Sequence, residues 1–373
     1  MELMKNGLST PAVIRIADAL EKILTNFDKT AFIDLCCDRI ETLELKERVS
    51  YLITVLHQYL ASDFLRAAHL LSAIVPLWDF GDKEDPLRSF AAWPLIDYIA
   101  VHGINHPEVA LPLMKTLTPL FSAEFAIRPF ILKYPEFCHE HFLIWCNDTH
   151  ADVRRLVSEG TRPRLPWGIQ LKPFVLDPTP TLVYLHALKT DKSLYVRRSV
   201  ANHLNDISKD HPEVVITTCK DWIEAFNGTV SDEMQWLIKH ATRTIVKQGN
   251  PEVFSLLGYT DKPKVEINLV VEQDVITLGE SLRFNVGLTG ESSDKQNVVV
   301  DYAIHFVKAN GTTRPKVFKL RNVMLLPGKC FPVSKKHAIK PITTRKYYPG
   351  EHKIEILVNG ETKASQSFYL NMQ

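Results

Sequence analysis

The chain has 373 residues, 45% hydrophobic and 23% charged, a composition that supports a sizeable core and excludes a disordered or low-complexity protein. No apolar run approaches the roughly 18 residues a membrane helix needs, and Met1–Gly7 lacks the apolar stretch of a signal peptide, so a cytoplasmic protein is expected. The net charge of +1 hides a gradient: residues 1–150 hold 13 Lys/Arg against 20 Asp/Glu, residues 151–261 hold 14 against 13, and residues 262–373 hold 17 against 10. A basic end on a near-neutral protein points to a polyanionic partner, although it also serves simply to keep a domain soluble.

Residues 1 to about 260 read as helices. Apolar residues recur at helical spacing in Ile14, Ala17, Leu20, Ile23 and Leu24, and again in Leu52, Val55, Leu56, Tyr59 and Leu60. Pro-Glu pairs at 107–108, 135–136, 212–213 and 251–252 are helix starts, because proline suits the first turn and an acid suits its positive dipole end. The starts repeat: His106-Pro107-Glu108-Val109 is echoed by His211-Pro212-Glu213-Val214 and Asn250-Pro251-Glu252-Val253. Val153-Arg154-Arg155-Leu156-Val157 returns as Val196-Arg197-Arg198-Ser199-Val200, 43 residues later (196 − 153). A period of about 40–47 residues belongs to HEAT-type helical repeats. Such an array makes an extended surface for a protein or a nucleic acid.

After Lys262 the period changes to two. Val265–Leu269, Leu282–Val286, Val298–Val307, Lys316–Leu320 and Lys353–Val358 alternate as half-buried strands, with turn dipeptides at 310–311, 327–328, 349–350 and 359–360. Asn359-Gly360 is a tight hairpin signal. The expected architecture is multidomain α plus all-β: an α-helical HEAT-like repeat solenoid over 1–260, then an immunoglobulin-like β-sandwich of about seven strands over 263–373. The six cysteines show neither zinc spacing nor C-x-x-C, and Cys330 is alone in the second domain, so reduced thiols are expected and no inter-sheet disulfide.

On a helical wheel Val196, Val200, Leu204 and Ile207 form the core stripe of the second echoed segment, with Ser193 as its N-cap. Arg198, Asn202 and Asp206 fall opposite, and Arg155 and Glu159 take the corresponding places in the first. Such a face is a basic ladder with carboxylates set in it, suited to phosphates, or else a solvated ion-pair face. Between the two segments, Gly160–Gly168 packs two prolines, two arginines and Trp167 into one connection.

These motifs resemble a known family. Asp152–Trp167 (DVRRLVSEGTRPRLPW) and Val196–Asp206 (VRRSVANHLND) resemble the signatures of the HEAT-like-repeat alkylpurine DNA glycosylases. Ser122–Phe130 (SAEFAIRPF), Trp93-Pro94-Leu95 and Trp236–Lys247 (WLIKHATRTIVK) resemble its AlkC branch, some members of which carry a C-terminal immunoglobulin-like domain. The resemblance implies release of N-alkylated bases such as 3-methyladenine and 3-methylcytosine from double-stranded DNA, with the duplex bent and the base left largely stacked. It implies catalytic roles for Asp206, Glu159, Glu124 and Trp167. The basic side chains of these motifs, Arg154, Arg155, Arg162, Arg164, Arg197, Arg198 and Arg243, are expected to contact DNA, with Lys335, Lys336, Arg345, Lys346, Tyr347 and Tyr348 as further candidates on the sandwich. No metal or nucleotide cofactor has a motif here, and the expected enzyme is a monomer associated with the bacterial nucleoid. A non-catalytic damage binder and a HEAT-repeat scaffold remain open as alternatives, and Ser/His/Asp hydrolysis lacks a G-x-S-x-G context.

Overall fold

Each Pro-Glu pair opens a helix with proline at its first position: Pro107–Leu117, Pro135–Trp145, Pro212–Glu224 and Pro251–Leu256. The computed structural model describes residues 3–226, 231–342 and 345–372, and the chain divides into two compact units, residues 1–210 and 211–373. Among the described residues no single helix is long and apolar enough to cross a membrane.

The first unit is all helical. Its first long helix, Thr10–Glu21, buries Val13, Ile16, Ala17 and Leu20. Ile14, which shares their spacing in the sequence, is exposed, and Ile23 and Leu24 lie beyond the helix end. Helix Leu45–Tyr59 buries Leu52, Val55 and Leu56 as their spacing predicts. The two echoed motifs form helices Ala151–Gly160 and Leu194–Ile207, which pack on each other. Their core stripes, Val153 and Val157 in one and Val196, Val200, Leu204 and Ile207 in the other, are at most 2% exposed. Each such side chain contributes about 1.5–3 kcal/mol through removal from water.

Between the two helices the contact is polar. Ser199 Oγ lies 3.0 Å from Ser158 Oγ, and His203 Nδ1 lies 2.9 Å from the Ser158 carbonyl. Burial pushes the His203 imidazole down to about 3, which leaves it neutral and able to sit in the seam. Ser193 occupies the N-cap position but its hydroxyl does not cap. Instead Asp191 Oδ1 accepts from the Ser193 backbone N–H at 2.8 Å, so the turn before the helix is closed by the aspartate.

The second unit begins with helices Pro212–Glu224, Asp232–Ala241, Arg243–Gln248 and Pro251–Leu256. Eight strands follow: β1 (Val265–Val271), β2 (Val275–Thr277), β3 (Ser281–Gly290), β4 (Gln296–Val307), β5 (Thr313–Leu325), β6 (Cys330–Ala338), β7 (Gly350–Val358) and β8 (Glu361–Asn371). They form a sheet of order β1-β3-β6 and a sheet of order β2-β8-β7-β4-β5, antiparallel except for β2 on β8. Side chains of both sheets, among them Phe284, Val286, Val300, Ile304, Ile354, Ile356 and Phe368, share one core. Alternation in β3 and β7 follows from one face being buried.

The β7–β8 turn is the two-residue hairpin that Asn359-Gly360 signals, with φ of 46° and 80°. It is also a docking point. Asn359 Nδ2 donates to the Thr260 carbonyl at 2.8 Å, and Thr260 N–H donates to the Asn297 carbonyl at 2.8 Å, which ties the end of the helical stretch to the sandwich. A Cβ on Gly360 would stand 2.2 Å from Gly249 Cα. Gly360→Ala is therefore expected to destabilise the protein by about 1–3 kcal/mol, through strain at positive φ and loss of that close approach. Thermal unfolding checks this: an unchanged midpoint would mean the turn relaxes freely.

Candidate active site

The first arginine of each echoed pair turns back on its own helix start. Arg154 Nη1 donates to the carbonyls of Asp148 (2.8 Å) and Thr149 (3.1 Å), and Arg197 Nη1 donates to those of Asp191 (2.7 Å) and Lys192 (3.1 Å). Both reach the residues six and five positions earlier, so the repeat extends to the side-chain contact. Arg154 also grips Asp191 through Nη2 at 2.9 Å and Nε at 2.5 Å, which fastens one repeat to the next.

The second arginine of the first pair points elsewhere. Arg155 Nη1 donates to Ser122 Oγ at 2.8 Å and to Glu124, Nη2 lies 3.5 Å from Glu159 Oε1, and the Tyr195 ring covers the guanidinium at 4.7 Å. Glu159 is held from two further sides: Arg162 Nη1 reaches Oε1 and Ser199 Oγ donates to Oε2, both at 2.5 Å. Arg162 also donates from Nε to Asp206 Oδ2 at 2.8 Å, and Asp206 Oδ1 accepts from Lys209 Nζ at 2.7 Å. One network therefore runs Glu124–Arg155–Glu159–Arg162–Asp206 across two repeats.

Charge settles unevenly in it. Burial opposes ionisation of Glu159, but Arg155 and Arg162 outweigh it and hold the carboxyl below its ordinary value. Burial pushes the Glu124 carboxyl up, and the neighbouring Glu159 adds to that against the pull of Arg155. Two carboxyls with opposed shifts in one cleft suit different proton-handling roles.

The connection between the echoed helices forms the other wall. Arg128, fully buried in helix Ile127–Lys133, donates to the carbonyls of Ile169 (2.6 Å), Gly160 (2.8 Å) and Pro163 (3.5 Å) and so templates the whole loop. Burial lowers the guanidinium to about 10, which still leaves it charged at neutral pH. The loop presents Trp167, 49% exposed and at φ +65°, a backbone conformation costly for a tryptophan. Lys46 holds the Trp167 carbonyl from the opposite side. Glu124, Arg155, Glu159, Arg162 and Trp167 line a cavity of about 460 Å³ with an aromatic wall of Phe90, Trp93, Phe121 and Phe125. Among the described residues no group of His, Cys, Asp and Glu is arranged to hold a metal ion.

A family model described as the C-terminal Ig-like domain of the uncharacterised protein YhaZ matches residues 266–372. The uncharacterised protein YhaZ of Bacillus subtilis (strain 168) is 34% identical over 92% of either chain. The solved alkylpurine DNA glycosylase AlkC of Pseudomonas fluorescens, bound to DNA containing an abasic site analogue, is 35% identical and superposes with a TM-score of 0.90 over 99% of this chain and 100% of its own. The chain belongs to the AlkC family of alkylpurine DNA glycosylases.

As an AlkC-family protein it is an enzyme, a hydrolase of the N-glycosidic bond, with the helical-repeat and immunoglobulin-like architecture of that family. The structure brings Glu124, Glu159 and Trp167 to one cleft and sets Asp206, 1% exposed, behind Arg162 rather than on the cleft wall. Charge partners from two repeats bury these carboxylates, so the alternative of a solvated ion-pair face does not describe them. Several of the basic positions expected to contact DNA have partners within the chain. Arg154 and Arg197 each turn Nη1 onto helix-start carbonyls, and Arg162 is held between two carboxylates. Arg164 is paired with Asp210 through two bonds of 2.7 and 2.9 Å. Arg198 is exposed. Arg243 belongs to the second unit, where it donates to the His240 carbonyl. On the sandwich Lys336 and Lys346 are exposed, Lys335 and Tyr348 are half-buried, Tyr347 is a buried core residue, and Arg345 lies over the Phe306 ring at 3.9 Å.

Sequence reasoning missed Arg128, Ser199 and Tyr195. A lone arginine flanked by Ile127, Phe130 and Ile131 was a usable signal, because a charge in an apolar stretch needs buried partners. Nothing in the pattern marked Ser199 or Tyr195.

Proposed function

We propose that this protein excises cationic N3-alkylated bases, 3-methyladenine and 3-methylcytosine among them, from double-stranded DNA, acting as a monomer in the bacterial cytoplasm at the first step of base excision repair. The observation that carries this reading is the convergence of Glu124 and Glu159 through Arg155 on an aromatic-walled cleft. A base alkylated at N3 already carries a positive charge, so it leaves without being protonated. Water adds to the sugar carbon as the N-glycosidic bond breaks, the bond electrons go to the base, and the products are the neutral base and an abasic sugar. The transition state is oxocarbenium-like, and a carboxylate beside it stabilises the growing charge.

Glu159, held ionised by its two arginines, takes that role and accepts the proton of the attacking water. Glu124, with its carboxyl pushed up, orients the water or sugar by hydrogen bonding. Asp206 acts through Arg162: without its charge the guanidinium would neutralise Glu159 more strongly. Trp167 offers a half-exposed π face to the cationic base. Arg198 and the exposed lysines of the sandwich are the candidates for phosphate contacts, since Arg155 is held between Glu124 and Glu159. An abasic site, the ligand class in the solved AlkC complex, is the product of this reaction. Because the Glu159 carboxyl is depressed, its base form persists into mildly acidic solution, and loss of that base form should slow release only as pH drops through the lowered value.

Release of free base from methylated duplex DNA tests the reading. Asp206→Asn is expected to slow release by about 10–100-fold with DNA binding kept. No release by the intact protein under conditions where it binds the DNA would leave a damage-binding role without catalysis.

A further inference from the structure

The aromatic wall of the cleft has a second side. Trp93 opens helix Trp93–His102 and stacks with both Phe121 and Phe125, whose ring centroids each lie 5.1 Å from its own at interplanar angles of 18° and 24° and 6.5 Å from each other. Those two phenylalanines flank Glu124 in sequence. Trp93 Nε1–H donates to Asp97 Oδ2 at 2.8 Å, one helical turn further on. Asp97 lines a cavity of about 230 Å³ that shares Trp93, Phe125 and Trp167 with the active-site cleft. The only other charged group lining that cavity is Lys46, from helix Leu45–Tyr59, and its ammonium is engaged with the Trp167 carbonyl. The other lining residues, which come from helices Leu45–Tyr59, Trp93–His102 and Ile127–Lys133, the turn before the last of these, and the loop, carry no charge.

We propose that Asp97 is a tuning and positioning residue for catalysis: by accepting from the Trp93 indole it fixes the aromatic wall beside Glu124, and its charge makes that wall attractive to a cationic base. The inference rests on the cationic substrate of the proposed function. Trp93 is only 2% exposed, so a cationic base would feel the Asp97 charge through the wall rather than by contact with the indole face. A charge behind a water-excluding wall is felt more strongly than one in solvent. Burial pushes the Asp97 carboxyl up to about 7, against the hydrogen bond from Trp93 and the charge of Lys46. The wall therefore gains its negative charge as pH rises through neutrality. The same shift has a sign for stability: a carboxyl raised above its unfolded value costs stability on ionising, so the protein loses stability between about pH 4 and about pH 7 through this group.

The test compares the full chain with Asp97→Asn, which keeps an acceptor for Trp93 without the charge, and with Trp93→Phe, which keeps a ring without the donor. Single-turnover base release by the intact protein is expected to rise about 3–10-fold between pH 6 and 8, and both variants should stay near the low-pH rate. Asp97→Asn should also raise the unfolding midpoint at pH 8 and leave it unchanged at pH 4. A rise of the same size in Asp97→Asn would overturn the proposal. In parallel, ¹⁵N-indole spectra of the intact protein should show one tryptophan Nε1–H resonance that titrates near neutral pH and is missing from Trp93→Phe. If no such resonance titrates, Asp97 does not switch Trp93 and the inference fails whatever the activity. If the resonance titrates but the intact protein releases no base, the glycosylase reading fails and the Asp97–Trp93 coupling stands.

Discussion

Glu159→Gln is expected to lower the rate of base release by about 10²–10⁴-fold while leaving the fold and the affinity for abasic-site DNA in place. Glutamine matches the carboxylate in shape: its carbonyl can still accept from Arg162 and Arg155, while its amide nitrogen, in the place of Oε2, would have to donate to Ser199 Oγ. What it removes is the one carboxyl of the cleft that its neighbours hold firmly ionised. Glu124 cannot substitute, because burial favours its neutral form and its nearest cation, Arg155, is shared. Stability should also change in a pH-dependent way. A depressed carboxyl stabilises the folded state above its unfolded value, so Glu159→Gln should be less stable than the parent at pH 7, with the gap closing as pH falls through the depressed value. Single-turnover kinetics and denaturant unfolding at two pH values check both statements. A rate within threefold of the parent would move the catalytic base elsewhere in the cleft.

Arg128→Met should have the largest effect on the architecture of the site, about 3–5 kcal/mol of destabilisation. Methionine replaces the aliphatic stem but none of the three donors that hold Gly160, Pro163 and Ile169. The Gly160 and Ile169 carbonyls would lose that donor, and the Pro163 carbonyl would keep only the Leu171 N–H, at 3.1 Å. The loop they belong to carries Arg164 before Leu165, a bond open to trypsin, so its loosening is directly readable: trypsin should cut the variant there well before it cuts the parent. Trp167 would relax from its positive φ, and KM should rise more than kcat falls. Equal trypsin resistance would show that the loop is held by its own turn alone. Arg128→Lys, which keeps a charge and reaches one or two of the carbonyls, should recover part of the loss.

The strand periods, the Pro-Glu helix starts and the echoed motif were legible in the sequence because each depends on neighbours a few residues apart. The alternation in Leu282–Val286 is the alternation of β3, and proline begins all four helices that it announces. The site was legible only in part. A helical wheel separates a buried stripe from its opposite, but not an arginine that faces solvent from one that curls back over its own helix start. Arg154 and Arg197 stand at matching positions and both curl back. The burial of Asp206 was illegible for a different reason: its partner Arg162 lies 44 residues away in sequence, on a loop whose path depends on Arg128. Contacts between repeats carry no periodic signature within either repeat.

The meeting of Gly360 with Gly249 bears on how chains of this type can be recombined. Secondary structure changes from helix to strand between Leu256 and Val265, which makes that stretch an attractive crossover for grafting another sandwich. A chimera joined there would press a foreign hairpin tip against Gly249, where even one extra methyl group does not fit. A junction at residues 210–211 moves the four helices and the sandwich together as a single cassette, with both halves of the glycine contact from one parent.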